Sequence, residues 1–249
     1  MTLAEIRTEA WDKAREVSTV DADRLWPIAT MNRYINRIYR TIARETLCIK
    51  DTEIASICTI ACVPTTYTTY VAGTKDYIWA NTADGWLYHK NVCPYLYALS
   101  PLVLRVDEVK WATRAWKLQK VSSTKWQENP WWEQTIGIPT EYATDLTSGK
   151  IALNARAEEA DSLFLQVRRL PLTDLVLDSE SPEFKSAYHD FFLNGVMWQM
   201  FSKHDAETID QGKATDYFAL FQADLDEIKR QETIIDDRLK SNGSHAAFR

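Results

Sequence analysis

Apolar residues recur at helical spacing over the first fifty positions and again after position 180, and at near-alternating spacing between. Leu3, Ile6, Ala10, Ala14 and Val17 share one face with Glu, Arg and Lys opposite, which predicts a short amphipathic helix over 3–17. After a break at Ser18-Thr19-Val20-Asp21 and the Trp26-Pro27 pair, Thr30 is placed to cap a second helix through its hydroxyl. Met31, Tyr34, Ile35, Ile38, Tyr39, Ile42, Ala43 and Leu47 then form its apolar stripe.

From about Asp51 the period shortens toward two, and β-branched and aromatic residues dominate, as in Pro64-Thr65-Thr66-Tyr67-Thr68-Thr69-Tyr70-Val71. The pattern predicts strands at 54–62, 66–72, 76–80, 102–111, 114–121, 140–145, 150–154 and 162–169. Connections too short for crossover helices imply antiparallel sheets in a small sandwich or barrel, with Thr147-Ser148-Gly149 as a hairpin turn. After Leu170-Pro171 the helical period returns. Ser181 reads as a cap, Pro182 as the first helical residue and Glu183 as first-turn acid, followed by Phe184, Ala187, Tyr188, Phe191, Phe192, Gly195, Val196 and Met200. A last long helix is expected from near Asp205 to about Leu239, with Gly212 a potential break and Ser241–Arg249 a flexible tail.

The expected class is α+β: a four-helix bundle of N- and C-terminal helices, residues 1–50 and 178–249, with an antiparallel β-rich domain inserted over 51–177. The outer helices carry stripes that need one another for burial. No internal repeat is visible.

Composition narrows what such a molecule does. The chain has 249 residues, 45% hydrophobic and 26% charged, which suffices for a sizeable core. No apolar run approaches a membrane span, and the N-terminus lacks a basic region followed by an apolar one, so a soluble protein is expected with no membrane partner. A net charge of −6 argues against a protein devoted to gripping phosphates. Cys48, Cys58, Cys62 and Cys93 have no usual zinc or redox spacing and read as buried free thiols. Tryptophan concentrates in the β-rich stretch, at Trp79, Trp86, Trp111, Trp116, Trp126, Trp131 and Trp132, which marks it as aromatic and interface-rich.

Candidate chemistry is sparse. His89, His189, His204 and His245 stand in unlike contexts, and none forms an HxxxH or HExxH pair; His189, beside Tyr188 and Phe191, reads as a hydrogen-bonded packing histidine. With seven glycines there is no phosphate-cradling loop. Asp224, Asp226, Glu227, Asp236 and Asp237 interleave with Lys229, Arg230, Arg238 and Lys240, the pattern of a solvated helix face rather than a magnesium site. No catalytic residue, metal or cofactor is expected, and the chain reads as a non-enzyme.

Leu3-Ala4-Glu5-Ile6-Arg7, Leu25-Trp26 and Met31-Asn32-Arg33-Tyr34-Ile35-Asn36-Arg37-Ile38-Tyr39-Arg40-Thr41-Ile42-Ala43-Arg44 resemble the opening of the head-to-tail adaptor (connector) proteins of tailed bacteriophages. Trp131-Trp132, Gly137-Ile138-Pro139-Thr140-Glu141-Tyr142 and Asp145 are similar to the family's central stretch. Gly149–Leu153 and Leu163–Pro171 resemble its paired strands; Pro182, Tyr188-His189, Asn194-Gly195-Val196 and the Lys213–Phe221 segment are similar to its closing helices. The stretch from Cys58 to Tyr97 departs from the pattern, being longer and richer in Tyr and Trp.

The resemblance implies a structural virion protein, assembled in the host cytoplasm. It implies a ring of about twelve copies under the portal that continues the DNA channel and offers a surface to a tail or nozzle protein. From Glu183 onward twelve Asp/Glu stand against eight Lys/Arg, which suits DNA that slides past without sequence-specific binding. Portal contacts are assigned to Ile228, Ile235, Leu239, Phe248 and Arg249, and subunit or tail contacts to Trp79, Trp86, Trp131 and Trp132. The alternatives are a module whose aromatic β-domain binds a carbohydrate or peptide, and a magnesium-dependent nuclease using Asp224 and Asp226.

Overall fold

A reciprocal cap starts the first helix: Thr2 Oγ1 accepts from the Glu5 amide at 3.3 Å, and the Thr2 amide donates to Glu5 Oε2 at 2.7 Å. The computed structural model describes residues 1–16, 18–63, 65–66, 79–82, 85–88, 91–92, 94–114, 116–128, 132–202 and 210–245; for 65–66, 79–82, 85–88, 91–92, 134 and 238–245 it describes the backbone alone. Its helices are α1 (Leu3–Ala14), α2 (Ile28–Thr46), α3 (Ala55–Cys58), α4 (Thr124–Gln127), α5 (Phe191–Phe201) and α6 (Gln211–His245). Its strands are β1 (Lys50–Asp51), β2 (Thr59–Cys62), β3 (Thr65–Thr66), β4 (Trp79–Thr82), β5 (Gly85–Tyr88), β6 (Asn91–Val92), β7 (Leu96–Ala98), β8 (Val103–Trp111), β9 (Gln119–Lys120), β10 (Glu141–Ala143), β11 (Lys150–Leu153) and β12 (Asp161–Arg169). The class is α+β, and the chain divides into two units, residues 1–49 with 169–249 and residues 50–168.

In the first unit one core gathers Ile6 and Ala10 of α1, Ile35, Ile38 and Ile42 of α2, Phe192, Val196 and Met197 of α5, and Phe221, Leu225 and Ile228 of α6. Each fully buried Ile, Val, Leu, Phe or Met side chain among these contributes about 1.5–3 kcal/mol. The α2 stripe from Met31 to Ala43 is buried as its period predicts. Its start is not where Thr30 pointed: Pro27 is the N-cap, and the Ile28 amide is taken by Asp21 Oδ1 at 2.8 Å, from a 3-10 turn seven residues back. α1 ends at Ala14 because Arg15 takes the left-handed conformation, φ 59°, and returns its amide to the Asp12 carbonyl at 3.1 Å.

The helix expected from Ser181 forms later. The Glu183 amide donates to the Tyr39 hydroxyl at 2.7 Å, and its carboxylate holds Arg169 Nη1 at 2.7 Å and the Leu172 amide at 2.7 Å. These tertiary bonds consume the groups a first helical turn needs, so 182–190 runs as a loop with a 3-10 turn (Ser186–Tyr188) before α5. The start expected for the last helix, near Asp205, lies outside the described residues. α6 begins at Gln211, where Asp210 Oδ1 accepts the Lys213 amide at 3.0 Å, and it passes Leu239 to His245, through part of the expected tail.

In the second unit β12 is the hub of one four-stranded sheet, pairing with β1, β2 and β8, and the second sheet runs β7-β11-β10-β9. Both sheets are open, so no barrel forms. Inward residues of the two sheets, Val106, Val109, Leu163, Leu165 and Val167 with Tyr97, Tyr142, Ile151 and Leu153, share a core. Gly149, φ +69°, makes the turn between β10 and β11, which pair Tyr142 with Leu153. Two expectations fail here. Residues 55–58 are a helical turn because Asp51 Oδ1 draws in the Glu53 and Ile54 amides, and only 59–62 is strand. β9 pairs parallel to β10, Gln119 with Glu141, because the segment between them contains α4 and a 3-10 turn and acts as a crossover. Among the described residues of the expected 114–121 strand, 119–120 forms strand and Lys117 makes an isolated bridge to Lys110. The expected strands at 66–72 and 76–80 lie largely outside the described residues.

Candidate interaction surfaces

Glu232 anchors α6. It is 3% exposed, and its Oε1 accepts from the Tyr188 hydroxyl at 2.9 Å and from Lys185 Nζ at 2.5 Å. Burial, then the hydrogen bond to Glu232, pushes the Tyr188 phenol above its usual range. Burial likewise pushes the nearby Cys48 thiol up to about 11, leaving an inert side chain. Asp224, expected on a solvated face, is half-buried and accepts from Asn194 Nδ2 at 2.8 Å; burial raises its carboxyl. Asp226 and Glu227 do pair along the helix with Lys229 and Arg230.

This anchoring sorts the portal-contact residues. Ile228 is fully buried in the first unit's core, so its side chain is occupied inside the protomer. Ile235 is half-buried, one turn beyond Glu232, next to exposed Ile234. Leu239 lies on the backbone of α6, and Phe248 and Arg249 lie outside the described residues. The aromatic candidates separate too. Trp132 is buried, with its ring 4.9 Å from Trp126 and 5.2 Å from Tyr95, in a small core with Ala143 and Ala152. Trp79 and Trp86 lie on the paired strands β4 and β5, where Trp86 registers with Asn81 and Trp79 with Tyr88. Trp131 lies outside the described residues.

A surface that sequence reading passed over lies on α2. Arg33, Arg37, Arg40 and Arg44 are all exposed and line a groove of about 580 Å³ with Asn36, Thr41 and Asp174. Asp174 holds Arg40 through two bonds of 3.0 and 2.9 Å, and Arg37 Nη1 donates to Gln199 Oε1 at 3.2 Å. The row was visible at steps of four, three and four, but a net charge of −6 concealed it.

The segment between Leu170 and Glu183 is tied against these helices. Asn36 clamps Leu175, donating to its carbonyl at 3.0 Å and accepting its amide at 2.8 Å, and Arg7 bridges Asn32 and Asp178. Glu180 Oε2 accepts the amides of Val176 and Leu177, which keeps its carboxyl below the usual range. The turn thereby presents Val176 and Leu177, 69% and 61% exposed, on a fixed backbone.

The second unit has a cleft of about 390 Å³ between Trp111, Ile138, Pro139 and residues 157–161. Its polar groups serve one another: Asp161 accepts from the Thr113 amide and hydroxyl, Arg114 reaches Glu159 at 3.4 Å, and Trp111 Nε1 donates to the Pro139 carbonyl. That is a folded corner rather than a set of groups converging on a ligand. Cys48, Cys58 and Cys62 are buried, and among the described residues no three His, Cys, Asp or Glu side chains converge as metal ligands. No described helix is long and apolar enough to cross a membrane.

The chain matches the model of the SU10 adaptor protein family over residues 1–244. It belongs to that family. No curated protein matches it. The family is one of phage head-to-tail adaptors, so the chain is a structural component of a virion, and its interaction surfaces bear on that role. Membership also implies portal and tail proteins as partners of this adaptor. The departure noted around Cys58 to Tyr97 coincides with the two-stranded β3–β6 and β4–β5 pairs.

Proposed function

We propose that this adaptor works as a closed ring of twelve copies seated under the portal, extending the DNA channel and offering its far side to a tail or nozzle protein, without catalysing a reaction. The observation that carries the reading is α6. Its 35 residues span about 52 Å, whereas the helices packed with it have 12, 19 and 11 residues and reach at most about 28 Å. A helix that outruns its own core is suited to reach a second protein. Portal contact is assigned to the stretch from Ile235 through Leu239 to Phe248 and Arg249, past the anchor at Glu232; Ile228 belongs to the core. The acidic balance after Glu183 lets DNA pass without being held by phosphate contacts.

Deleting residues 236–249 tests this, since the anchor and core remain. The expected result is a protein with the wild-type melting curve that is missing from purified particles. Incorporation at wild-type copy number would exclude the C-terminal docking assignment.

A further inference from the structure

The exposed side of α1 carries Glu5, Glu9 and Asp12, at steps of four and three. The exposed side of α2 carries Arg33, Arg37, Arg40 and Arg44, at steps of four, three and four. At about 100° per residue each row occupies a narrow arc, opposite the face that its helix buries: Leu3, Ile6 and Ala10 on α1, and Met31, Ile35, Ile38 and Ile42 on α2. The two rows therefore point away from the core that joins their helices. Among the described residues no ion pair links them, and the side chains of Glu9, Asp12, Arg33 and Arg44 make no hydrogen bond or ion pair of their own.

We propose that the acidic row of α1 on one copy seats against the arginine groove of α2 on the next. This rests on the reading of the chain as a ring-forming adaptor. The acidic row is about 10 Å long and the basic row about 16 Å, with the same repeat, so three carboxylates can each face a guanidinium along either direction of approach. Two different surfaces meeting in this way make a heterologous contact, the kind that propagates round a ring instead of stopping at a dimer. DNA is the less suitable occupant of the groove, because the chain as a whole carries −6 and would repel a polyanion at a distance. The acidic row has the matching spacing, and two of its three carboxylates, Glu9 and Asp12, have no described partner; Glu5 also accepts from the Thr2 amide.

The test uses the full chain with reversals at positions that make no internal bond. Self-association is followed by sedimentation velocity at about 50 mM salt, where screening is weak. Arg33→Glu with Arg44→Glu, and separately Glu9→Lys with Asp12→Lys, should each raise the dissociation constant at least about tenfold. An equimolar mixture of the two variants, or one chain bearing all four changes, should recover wild-type association, which a merely misfolded variant could not do. The pairing is overturned if either reversal associates like wild type, if the combination fails to recover, or if the wild-type chain stays monomeric up to millimolar concentration. Binding of a random-sequence DNA duplex that is lost in the arginine variant and kept in the acidic-row variant would assign the groove to nucleic acid instead. Mass spectrometry of purified particles separates the two levels: absence of the wild-type chain removes the adaptor reading, whereas its presence alongside indifferent reversals removes this pairing alone.

Discussion

Gly195 of α5 lies directly under the ring of Phe221 of α6: a Cβ built on the glycine would stand 2.9 Å from Phe221 Cε2 and 2.8 Å from Ile38 Cγ2 of α2. Three helices meet at this point, and they approach so closely because the position has no side chain. Gly195→Ala should therefore cost about 1–3 kcal/mol through overpacking, even though alanine is the better helix former. Urea denaturation would show it as a lowered midpoint; an unchanged or raised midpoint would mean that the helices can part without penalty.

Arg169 and Glu183 form the second test. The guanidinium is 7% exposed and the carboxylate 27%, and Glu183 also holds the Leu172 amide. Glu183→Ala removes both bonds and leaves Arg169 without this carboxylate, which should destabilise the first unit by about 2–4 kcal/mol. Glu183→Gln, able to keep the Leu172 bond, should lose less. Equal losses in thermal melts would show that the amide contact carries no weight.

Histidine 189 couples stability to pH. Its Nδ1 lies 2.7 Å from the Met1 amino group and its Nε2 lies 3.2 Å from the Phe184 carbonyl, so the ring accepts from the amino terminus and donates to the carbonyl. Burial, and then the positive amino terminus, holds the ring below its usual value. The folded state then binds fewer protons than the unfolded chain, so the histidine contributes fully above about pH 6.5 and loses that contribution as the pH falls through the lowered folded value. The melting temperature should drop between pH 7 and 5, and His189→Gln should flatten that drop. A second decline, below about pH 4, should persist in the variant. It comes from Asp107, whose carboxyl burial alone would raise but which hydrogen bonds from Arg168 and Arg105 hold low.

Tryptophan 132 distinguishes core from interface. Packed at a tilt against Trp126 and 8% exposed, it should behave as a core residue, and Trp132→Ala should cost about 3–5 kcal/mol in the stability of the second unit. A variant that folds normally but joins particles poorly would instead restore Trp132 to the contact surface.

Periodicity located the long elements well. Period-3.6 stripes require a buried face, and α1, α2 and α6 supply it through Ile6, Ile38 and Phe221; alternating Leu163, Leu165 and Val167 made β12 readable in the same way. Boundaries were legible only where the capping group is local. The Thr2–Glu5 cap is written in four consecutive residues, whereas the start of α2 depends on Asp21 and the delay of α5 on Arg169 and Tyr39. The interaction surfaces were partly legible: the arginine row has a plain spacing, but net charge averages over the whole molecule and hides it. The burial of Ile228 and Trp132 was not legible, because an apolar side chain on a helix stripe or in a short turn reads the same whether it faces a partner or its own core.

The sequence by itself determined the class, the helical character of both ends and the strand-rich middle, because these follow from local period and the composition of short windows. The tertiary structure decided which carboxylates are spent on internal bonds, which aromatic rings are buried, and which charged rows are left facing outward. Those depend on contacts between residues up to 188 positions apart, as in the bond between the Met1 amino group and His189 Nδ1, and no window along the chain contains both partners.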